Sequence, residues 1–422
     1  MMERLIVPML VTGMLATGTA NTLLTKLQDQ VCVGNCTDPD LKKRHYFEQP
    51  VIQTLQMFIG EMGCWLVVYG FYLYNRYLEK RSRAGYEPIG SSEEAEPHDV
   101  NPVVKALVPN HDDRARLSGS KVFLLALPAC CDIAGTTLMN IGFLFVAASI
   151  YQMTRGALVL FVGIFSVIFL KRRLRVYQWA ALAIVVAGVA VVGLAGALYN
   201  DPKKAEANEF VESAATTEVS LAVRTIIGVL LIAGAQIFTA TQFVLEEFIL
   251  EKYALEPLKV VGWEGVFGFL VTVMGMVFLH LSVGRTEAGR GGYFDAAEGW
   301  REVVEHPMVA KTSIWIMVSI GCFNFFGISV TRSISATARS VIDTCRTLFI
   351  WMVSLGLGWE SFKWLQVLGF ALLVYGTFLF NDLVKEPVRS CWLGERKGKG
   401  IANGSAARQP GAGLEEAVIE HL

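Results

Sequence analysis

The chain has 422 residues, of which 53% are hydrophobic and 18% are charged, and its formal net charge is -1. Soluble domains carry about 25% charged residues, and nucleic-acid binders carry a basic excess. Composition therefore argues against a soluble enzyme and against a nucleic-acid partner, and we expect a lipid bilayer and a small-molecule solute as partners.

The apolar residues lie in long runs, and a run of about 18 or more predicts a membrane-spanning helix. Ten such spans are predicted, at residues 6–27, 50–74, 121–142, 148–170, 176–198, 221–248, 258–281, 312–331, 337–357 and 362–383. A short amphipathic helix is expected at 295–305. The loop at 81–118 and the tail at 386–422 are polar and are expected to be disordered and cytosolic. The predicted fold class is an all-α membrane protein.

Two segments, 1–200 and 220–385, share landmarks that indicate an internal repeat. At one constant spacing, the first segment's Cys131, Ala147, Ser149 and Arg155 correspond to the second segment's Cys322, Ala338, Ser340 and Arg346. Each segment holds five predicted spans, an odd number, so the second segment enters the membrane from the opposite side. We therefore predict ten transmembrane helices arranged as an inverted 5+5 repeat, in which each segment is one five-helix unit.

Ionisable side chains inside predicted spans are the candidate site, because charge at bilayer depth is costly and is usually functional. These are Glu61, Asp132, Arg155, Glu264, Asp343 and Arg346, and the candidates to line the same cavity are Asn21, Tyr151, Gln152, Gln242 and Asn324. Surplus carboxylate favours a cationic solute, protons, or both. Asp343 and Arg346 are three residues apart and could pair, and Asp132 could pair with Arg155. Structural ion pairs that lock helices together are the alternative.

Charges near predicted span ends are interpreted differently. Glu246 and Glu247 lie close to the end of the sixth predicted span, where snorkelling to the surface explains them. Arg339 is counted with the charges that flank the spans on the cytosolic side.

The loops carry three further signals. Cys32 and Cys36 share the first non-cytosolic loop, where an oxidising lumen permits a disulfide, and Asn35 begins a glycosylation sequon. Tyr86 and Ile89 fit a tyrosine-based sorting signal, through which sorting adaptors would bind. No catalytic constellation, phosphate-binding loop or metal-ligand pattern is found, so neither an enzyme nor a cofactor or metal is expected. A homodimer is a possible oligomeric state that the sequence does not decide.

Two long stretches carry a family resemblance. Residues 127–179, beginning LPACCDIAGTTLMNIGFLFVAASIYQMTRG, and residues 323–360, beginning FNFFGISVTRSISATARSVIDTCR, are similar to the drug/metabolite transporter superfamily. More closely they resemble solute carrier family 35, subfamily F, in its member-6-like branch, which is related to the chloroquine-resistance-type transporters. The resemblance implies ten helices, an inverted repeat and secondary transport in an endomembrane.

The resemblance implies a lysosomal or vacuolar membrane first, with the Golgi, plasma or mitochondrial membrane as alternatives. Nucleotide-sugar carriers of the wider family have FYNN-like and GALNK-like segments, which this chain lacks, so a nucleotide sugar is the second choice. A membrane interaction protein that has lost transport is a further alternative. We expect a secondary transporter with alternating access for a cationic or polar organic solute, with proton coupling.

Lys and Arg residues predict the orientation of the chain, because they concentrate on the cytosolic side. With a cytosolic N-terminus, that side holds 23 of them and the other side holds 12. Tags at either terminus, or in the turn at 171–175, should therefore face the cytosol. Protease digestion of sealed, right-side-out organelles should remove a C-terminal tag, and protection of that tag would contradict the ten-span arrangement.

Overall fold

The structure is a computed structural model that describes residues 3–36, 44–47, 49–84, 117, 119–143, 145–146, 148–171, 175–198, 221–286, 292, 294–358 and 364–380. Its helices are α1 (Glu3–Asp29), α2 (Pro50–Met62), α3 (Cys64–Ala84), α4 (Ala126–Phe143), α5 (Ala148–Thr154), α6 (Leu158–Ile168), α7 (Val176–Leu198), α8 (Leu221–Lys252), α9 (Pro257–Leu279), α10 (Ala296–Glu305), α11 (Pro307–Ser333), α12 (Ala336–Gly356) and α13 (Trp364–Phe380). The 3-10 turn Gly119–Leu125 leads into α4, the 3-10 turn Arg155–Ala157 joins α5 to α6, and a π-helical turn, His280–Gly284, follows α9. Two short antiparallel strands, β1 (Cys32–Gly34) and β2 (His45–Tyr46), form a hairpin.

Long apolar helices make the chain a multi-pass helical membrane protein. Among the described residues, six stretches are long and apolar enough to cross a bilayer: Ile6–Asp29, Pro50–Arg81, Gly119–Phe143, Thr225–Lys252, Pro257–Gly284 and Pro307–Ser333. Arg155–Ile168, Val176–Val192 and Trp364–Phe380 are shorter apolar helices. The ten-span count and the inverted repeat stay predictions.

Two predicted spans are not continuous helices, and one of them, at 50–74, divides at Gly63 into α2 and α3. The other is the fourth predicted span. Residues 148–170 form two helices, α5 and α6, joined by the 3-10 turn Arg155–Ala157. A 3-10 turn is tighter than an α-helical turn, so it redirects the side chains at the junction. Arg155 lies against α12. The sequence pattern missed this break because both pieces are apolar and carry no proline.

The two predicted five-helix segments interlock instead of forming separate bodies. The most extensive helix–helix contacts are those of α7 with α13, α4 with α8, α1 with α11, and α2 with α9. Each of these pairs joins one helix before residue 200 to one after residue 220. The domain boundaries themselves, at 199–220 and after 380, lie outside the described residues.

One end of the molecule, which we call the hairpin end, carries the β1–β2 hairpin and α10. A disulfide joins Cys32 to Cys36, with the two Cα atoms 5.8 Å apart. Phe47 is fully buried after β2 and packs with Ile52 of α2 and Val309 of α11. The hairpin is therefore anchored by an apolar contact among the first residues of these helices.

The amphipathic helix expected at 295–305 is present as α10. Asp295 caps its first turn by accepting from the backbone N–H groups of Ala297 and Glu298, at 3.2 and 3.3 Å. Its Glu302 side chain bonds to Gln49, and partial burial raises the pKa of the Glu302 carboxyl. Helix α10 thus docks against the start of α2 at the hairpin end.

The α7–α13 pair generates a packing prediction. A Cβ on Gly188 would come within 2.9 Å of the Gly369 carbonyl oxygen, whereas a Cβ on Gly275 of α9 would meet nothing within 4 Å. Gly188→Leu should lower the free energy of unfolding by about 1–3 kcal/mol through overpacking. Gly275→Leu is the matched control and should leave stability close to that of the unaltered protein. Thermal unfolding in detergent measures both, and equal midpoints for the two variants would contradict the close α7–α13 contact.

Candidate functional site

The two predicted membrane glutamates meet where α2 packs against α9. Glu61 is 3% exposed and Glu264 is 6% exposed, and the two carboxyl groups interact electrostatically. Gly265 allows this approach, because a Cβ there would come within 2.8 Å of the Glu61 Cβ. Asn324 of α11 donates its side-chain N–H to Glu61 Oε1 at 2.5 Å. The structure therefore brings three of the predicted site residues together.

Two further carboxyl groups lie in range of this pair. Asp132 of α4 and Glu246 of α8 each interact electrostatically with Glu61 and with Glu264. Asp132 accepts a hydrogen bond from Thr136 at 3.3 Å, one turn later on the same helix. We call Glu61, Asp132, Glu246 and Glu264, together with Arg339, the carboxylate cluster.

Arg339 of α12 is the cation of this cluster, and it is buried together with Glu246. Arg339 is 2% exposed and forms an ion pair with Glu246, which is 1% exposed. Its guanidinium also lies 3.9 Å from the ring centroid of Phe243, a cation–π contact. The snorkelling interpretation of Glu246 is wrong, since its carboxylate is buried against Arg339. The assignment of Arg339 to the cytosolic side stays a prediction.

Glu247 is also buried, at 3% exposure, which corrects its assignment to the surface. Its Oε2 accepts the backbone N–H of Ala336 at 3.1 Å, so it binds the first turn of α12. A carboxylate at a helix N-terminus is favoured by the orphan N–H groups and the helix dipole. The signal that could have found these residues is the length of α8, 32 residues, which extends beyond one bilayer crossing.

Glu264 retains an open bonding position. Its Oε1 is buried and accepts no hydrogen bond from the residues that the structure describes. A buried carboxylate oxygen without a donor is unfavourable unless the group is protonated or binds a ligand. The Oε1 atom of Glu264 is therefore a buried acceptor that the described residues leave unused.

The remaining predicted charges form a second group, the arginine cluster of Arg155, Asp343 and Arg346. Arg346 Nη2 lies 2.7 Å from Asp343 Oδ1, so these two residues pair within α12 as expected. Arg155 Nη2 lies 3.9 Å from Asp343 Oδ2. The predicted direct pairing of Arg155 with Asp132 is replaced by this contact, because the 3-10 turn aims Arg155 at α12. Arg155 still interacts electrostatically with Asp132.

The polar candidates lie around these two clusters. Tyr151 has its ring 5.9 Å from the Arg155 guanidinium, and Gln242 bonds to Glu246 one turn away on α8. Asn21 accepts from Ser319 at 3.0 Å and joins α1 to α11. Gln152 lies on α5, and its side chain is outside the described part of the structure.

The loop candidates have different outcomes. Asn35 is exposed within the disulfide-closed turn, and its glycosylation stays a prediction. Tyr86 and Ile89 lie outside the described residues.

The chain resembles known transporters over most of its length. The profile of the family described as Nucleotide-sugar transporter matches residues 111–250. Solute carrier family 35 member F6 of Homo sapiens is 37% identical over 372 residues, which cover 88% of this chain and 87% of the relative. The chain belongs to solute carrier family 35, in the member F6 branch. It is a membrane transporter and not an enzyme.

Other relatives extend the same similarity. The rat member F6, from Rattus norvegicus, is 36% identical over 380 residues, covering 90% of this chain and 89% of the relative. An uncharacterized protein of Schizosaccharomyces pombe is 35% identical over 375 residues, covering 89% of this chain and 97% of its own length.

The Glu246–Arg339 pair generates a stability prediction. Arg339→Met leaves Glu246 buried without its counter-charge, and loss of one partner of a buried pair costs about 3–5 kcal/mol. The control is Lys259→Met, which removes an exposed pair with Glu256 and should cost about 1 kcal/mol or less. Glu246→Gln combined with Arg339→Met should recover part of the loss. Unfolding measurements on the four proteins test this, and an Arg339→Met variant as stable as the Lys259→Met control would contradict it.

Proposed function

We propose that the chain is a secondary transporter with alternating access that exchanges protons for a small cationic or polar organic solute. The observation that carries this proposal is the burial of Glu61 and Glu264 within electrostatic range of each other, where α2 packs against α9. These two helices occupy corresponding positions in the two predicted segments. A purely structural protein has no need to hold two carboxyl groups together at this depth, since their burial is costly. If the two carboxyl groups bind protons and solute in turn, their burial serves transport.

Helix pairing supports the inverted 5+5 repeat. The first and third helices of opposite segments pack together twice, as α1 with α11 and as α8 with α4. Corresponding helices pair with each other in α2 with α9 and in α7 with α13. The contact of α6 with α8 is matched by that of α12 with α1. A two-fold axis between the segments produces this reciprocity, and such an axis is the basis of alternating access in repeat transporters.

Charge repulsion supplies the coupling. Carboxylates that share a low-dielectric site repel each other, and uptake of a proton by one of them relieves the repulsion. A cationic solute relieves it in the same way, so proton and solute compete for Glu61 and Glu264. Either antiport or symport can result. The outcome is set by which form of the transporter, proton-bound or solute-bound, can switch its site from one side of the membrane to the other.

The hairpin end has features of a gate. Gln28 at the end of α1 is fully buried and donates to Ser313 of α11 at 2.9 Å. Gln53 of α2 donates to Asp29 at 2.5 Å and to Gln28 at 3.4 Å. Hydrogen bonds between side chains can be exchanged for water when helices separate. Opening at this end would also have to break the apolar contact of Phe47 with α2 and α11.

The opposite end has a different chemistry. Ile249, Leu250, Val260 and Val261 join the end of α8 to the start of α9 in an apolar cluster. Arg332 of α11 also donates to the Leu255 carbonyl oxygen at 2.7 Å. In this proposal the hairpin end opens first, while the apolar end stays closed.

Location and topology complete the proposal. Both termini, the loop at 81–118 and the tail at 386–422 would lie in the cytosol, and the disulfide-bonded hairpin would lie in an oxidising lumen. A lysosomal or vacuolar membrane would supply the acidic lumen that drives proton exchange. A sorting signal at Tyr86 and Ile89 and a homodimer are also part of this proposal.

A nucleotide sugar is the second candidate substrate. The match of the family profile to residues 111–250, which include α4 to α8, favours it. The carboxylate cluster opposes it, because a nucleotide diphosphate is itself negatively charged. Uptake of a nucleotide sugar into proteoliposomes, measured beside that of organic cations, separates the two candidates.

The proton-coupling proposal is tested with isosteric variants. Glu61→Gln and Glu264→Gln keep size and most hydrogen bonding but remove titration, so each should abolish the pH dependence of solute uptake by proteoliposomes. Glu305→Gln, at an exposed position of α10, is the matched control and should keep the pH dependence of the unaltered protein. Uptake with unaltered pH dependence in both single variants would mean that the two glutamates are structural.

A further inference from the structure

The arginine cluster carries surplus positive charge that the proposed proton exchange does not use. Arg155 and Arg346 share one carboxylate, Asp343, as their ion-pair partner. Asp132 interacts with Arg155 without forming an ion pair. Arg346 is 3% exposed, and its surroundings include the Phe323 ring, 4.6 Å from the guanidinium. A buried, unbalanced guanidinium is costly, which makes an anionic group the natural complement.

Donor positions on both arginines are open. The Nε atoms of Arg155 and Arg346 are buried and have no hydrogen-bond acceptor among the described residues. Arg155 is also the less tightly bound of the two, since its Nη2 is 3.9 Å from Asp343 and its side chain is 19% exposed. Two guanidinium groups with free donors match the two oxygens of a carboxylate.

The arginine cluster lies beside the carboxylate cluster. Phe323 and Asn324 are consecutive residues of α11, and the first contacts Arg346 while the second binds Glu61. Along α12, Arg339 belongs to the carboxylate cluster, and Asp343 and Arg346 follow it on one face at helical spacing. With a rise of 1.5 Å per residue, the two clusters are separated by about 6–10 Å along this helix.

We propose that Arg155 and Arg346 form a subsite for a carboxylate group of the transported solute, whose ammonium group binds the carboxylate cluster. The inference rests on the proposed transport function and names its substrate class, a small zwitterion with both charges on one molecule. A phosphate is the other anion that guanidinium groups bind. The surplus here is a single positive charge, and the adjacent carboxylates repel a group that carries two or more negative charges.

Matched ligand pairs test this subsite on the purified full chain. Each pair consists of an amino acid and its decarboxylated amine: L-lysine with cadaverine, L-phenylalanine with phenethylamine, and L-leucine with isoamylamine. Affinity is measured from the shift of the thermal unfolding midpoint with ligand concentration. In at least one pair the amino acid should bind about tenfold or more tightly than the amine, which is the effect of charge-assisted hydrogen bonds.

Variants then assign the effect to the subsite. Arg155→Gln should bring the affinity ratio within that pair close to one. Arg301→Gln, at an exposed position of α10, is the matched control and should leave the ratio unchanged. If Arg155→Gln does not fold, the ratio in the unaltered protein decides the proposal.

Three results would overturn the subsite. Amines that bind as tightly as their amino acids in every pair would exclude the subsite. The proposed transport function would still stand if amine uptake by proteoliposomes depended on pH and on Glu61 and Glu264. Binding of UDP-glucose that Arg155→Gln weakens would assign the subsite to phosphate. Absence of binding by amino acids and amines alike would remove both the subsite and the cationic substrate class.

Discussion

Compensation of charge buried at membrane depth is the constraint on which this structure depends. Helix α12 supplies most of it, because Arg339, Asp343 and Arg346 lie on one face at helical spacing. Arg339 is bound by Glu246 of α8, and Asp343 is approached by Arg155 from the 3-10 turn. The turn that interrupts the fourth predicted span therefore has an electrostatic reason. These ion pairs hold α8 and the 3-10 turn in place against α12, because lipid offers the charged side chains no other partner.

The predicted repeat is symmetric in its helices and asymmetric in its charges. Arg155 and Arg346 occupy corresponding positions, but Asp343 corresponds to Gln152, so only one carboxylate serves two guanidinium groups. Glu61 and Glu264, by contrast, come from helices that correspond in the predicted repeat, and both are buried where α2 packs against α9. In an alternating-access mechanism, the motion requires two structurally similar segments, and the selectivity requires charges of one sign at a fixed position. This distribution of charges satisfies both needs.

Apolar runs predicted a helix at every span position, and the cost of membrane charge identified Glu61 and Glu264 as candidates. The Glu246–Arg339 pair was missed because a charge near a span end has a cheaper explanation until its partner is known. That partner lies on another helix, more than ninety residues away in sequence. The break at Arg155 was missed for a related reason, since both helix pieces satisfy the apolar pattern and only the contact with α12 distinguishes them.

The central claim is that Glu61 and Glu264 share one titrating site, and infrared spectroscopy tests it most directly because no solute has to be known. The carbonyl stretch of protonated carboxylic acids is followed against pH in purified protein, in the unaltered chain and in Glu61→Gln and Glu264→Gln variants. Coupled groups titrate as a pair, so removal of either glutamate should shift the titration midpoint of the other. The alternative outcome is that each variant loses the signal of one carboxyl group while the titration midpoint of the other group stays the same. The glutamates would then titrate independently, and a shared site would be contradicted.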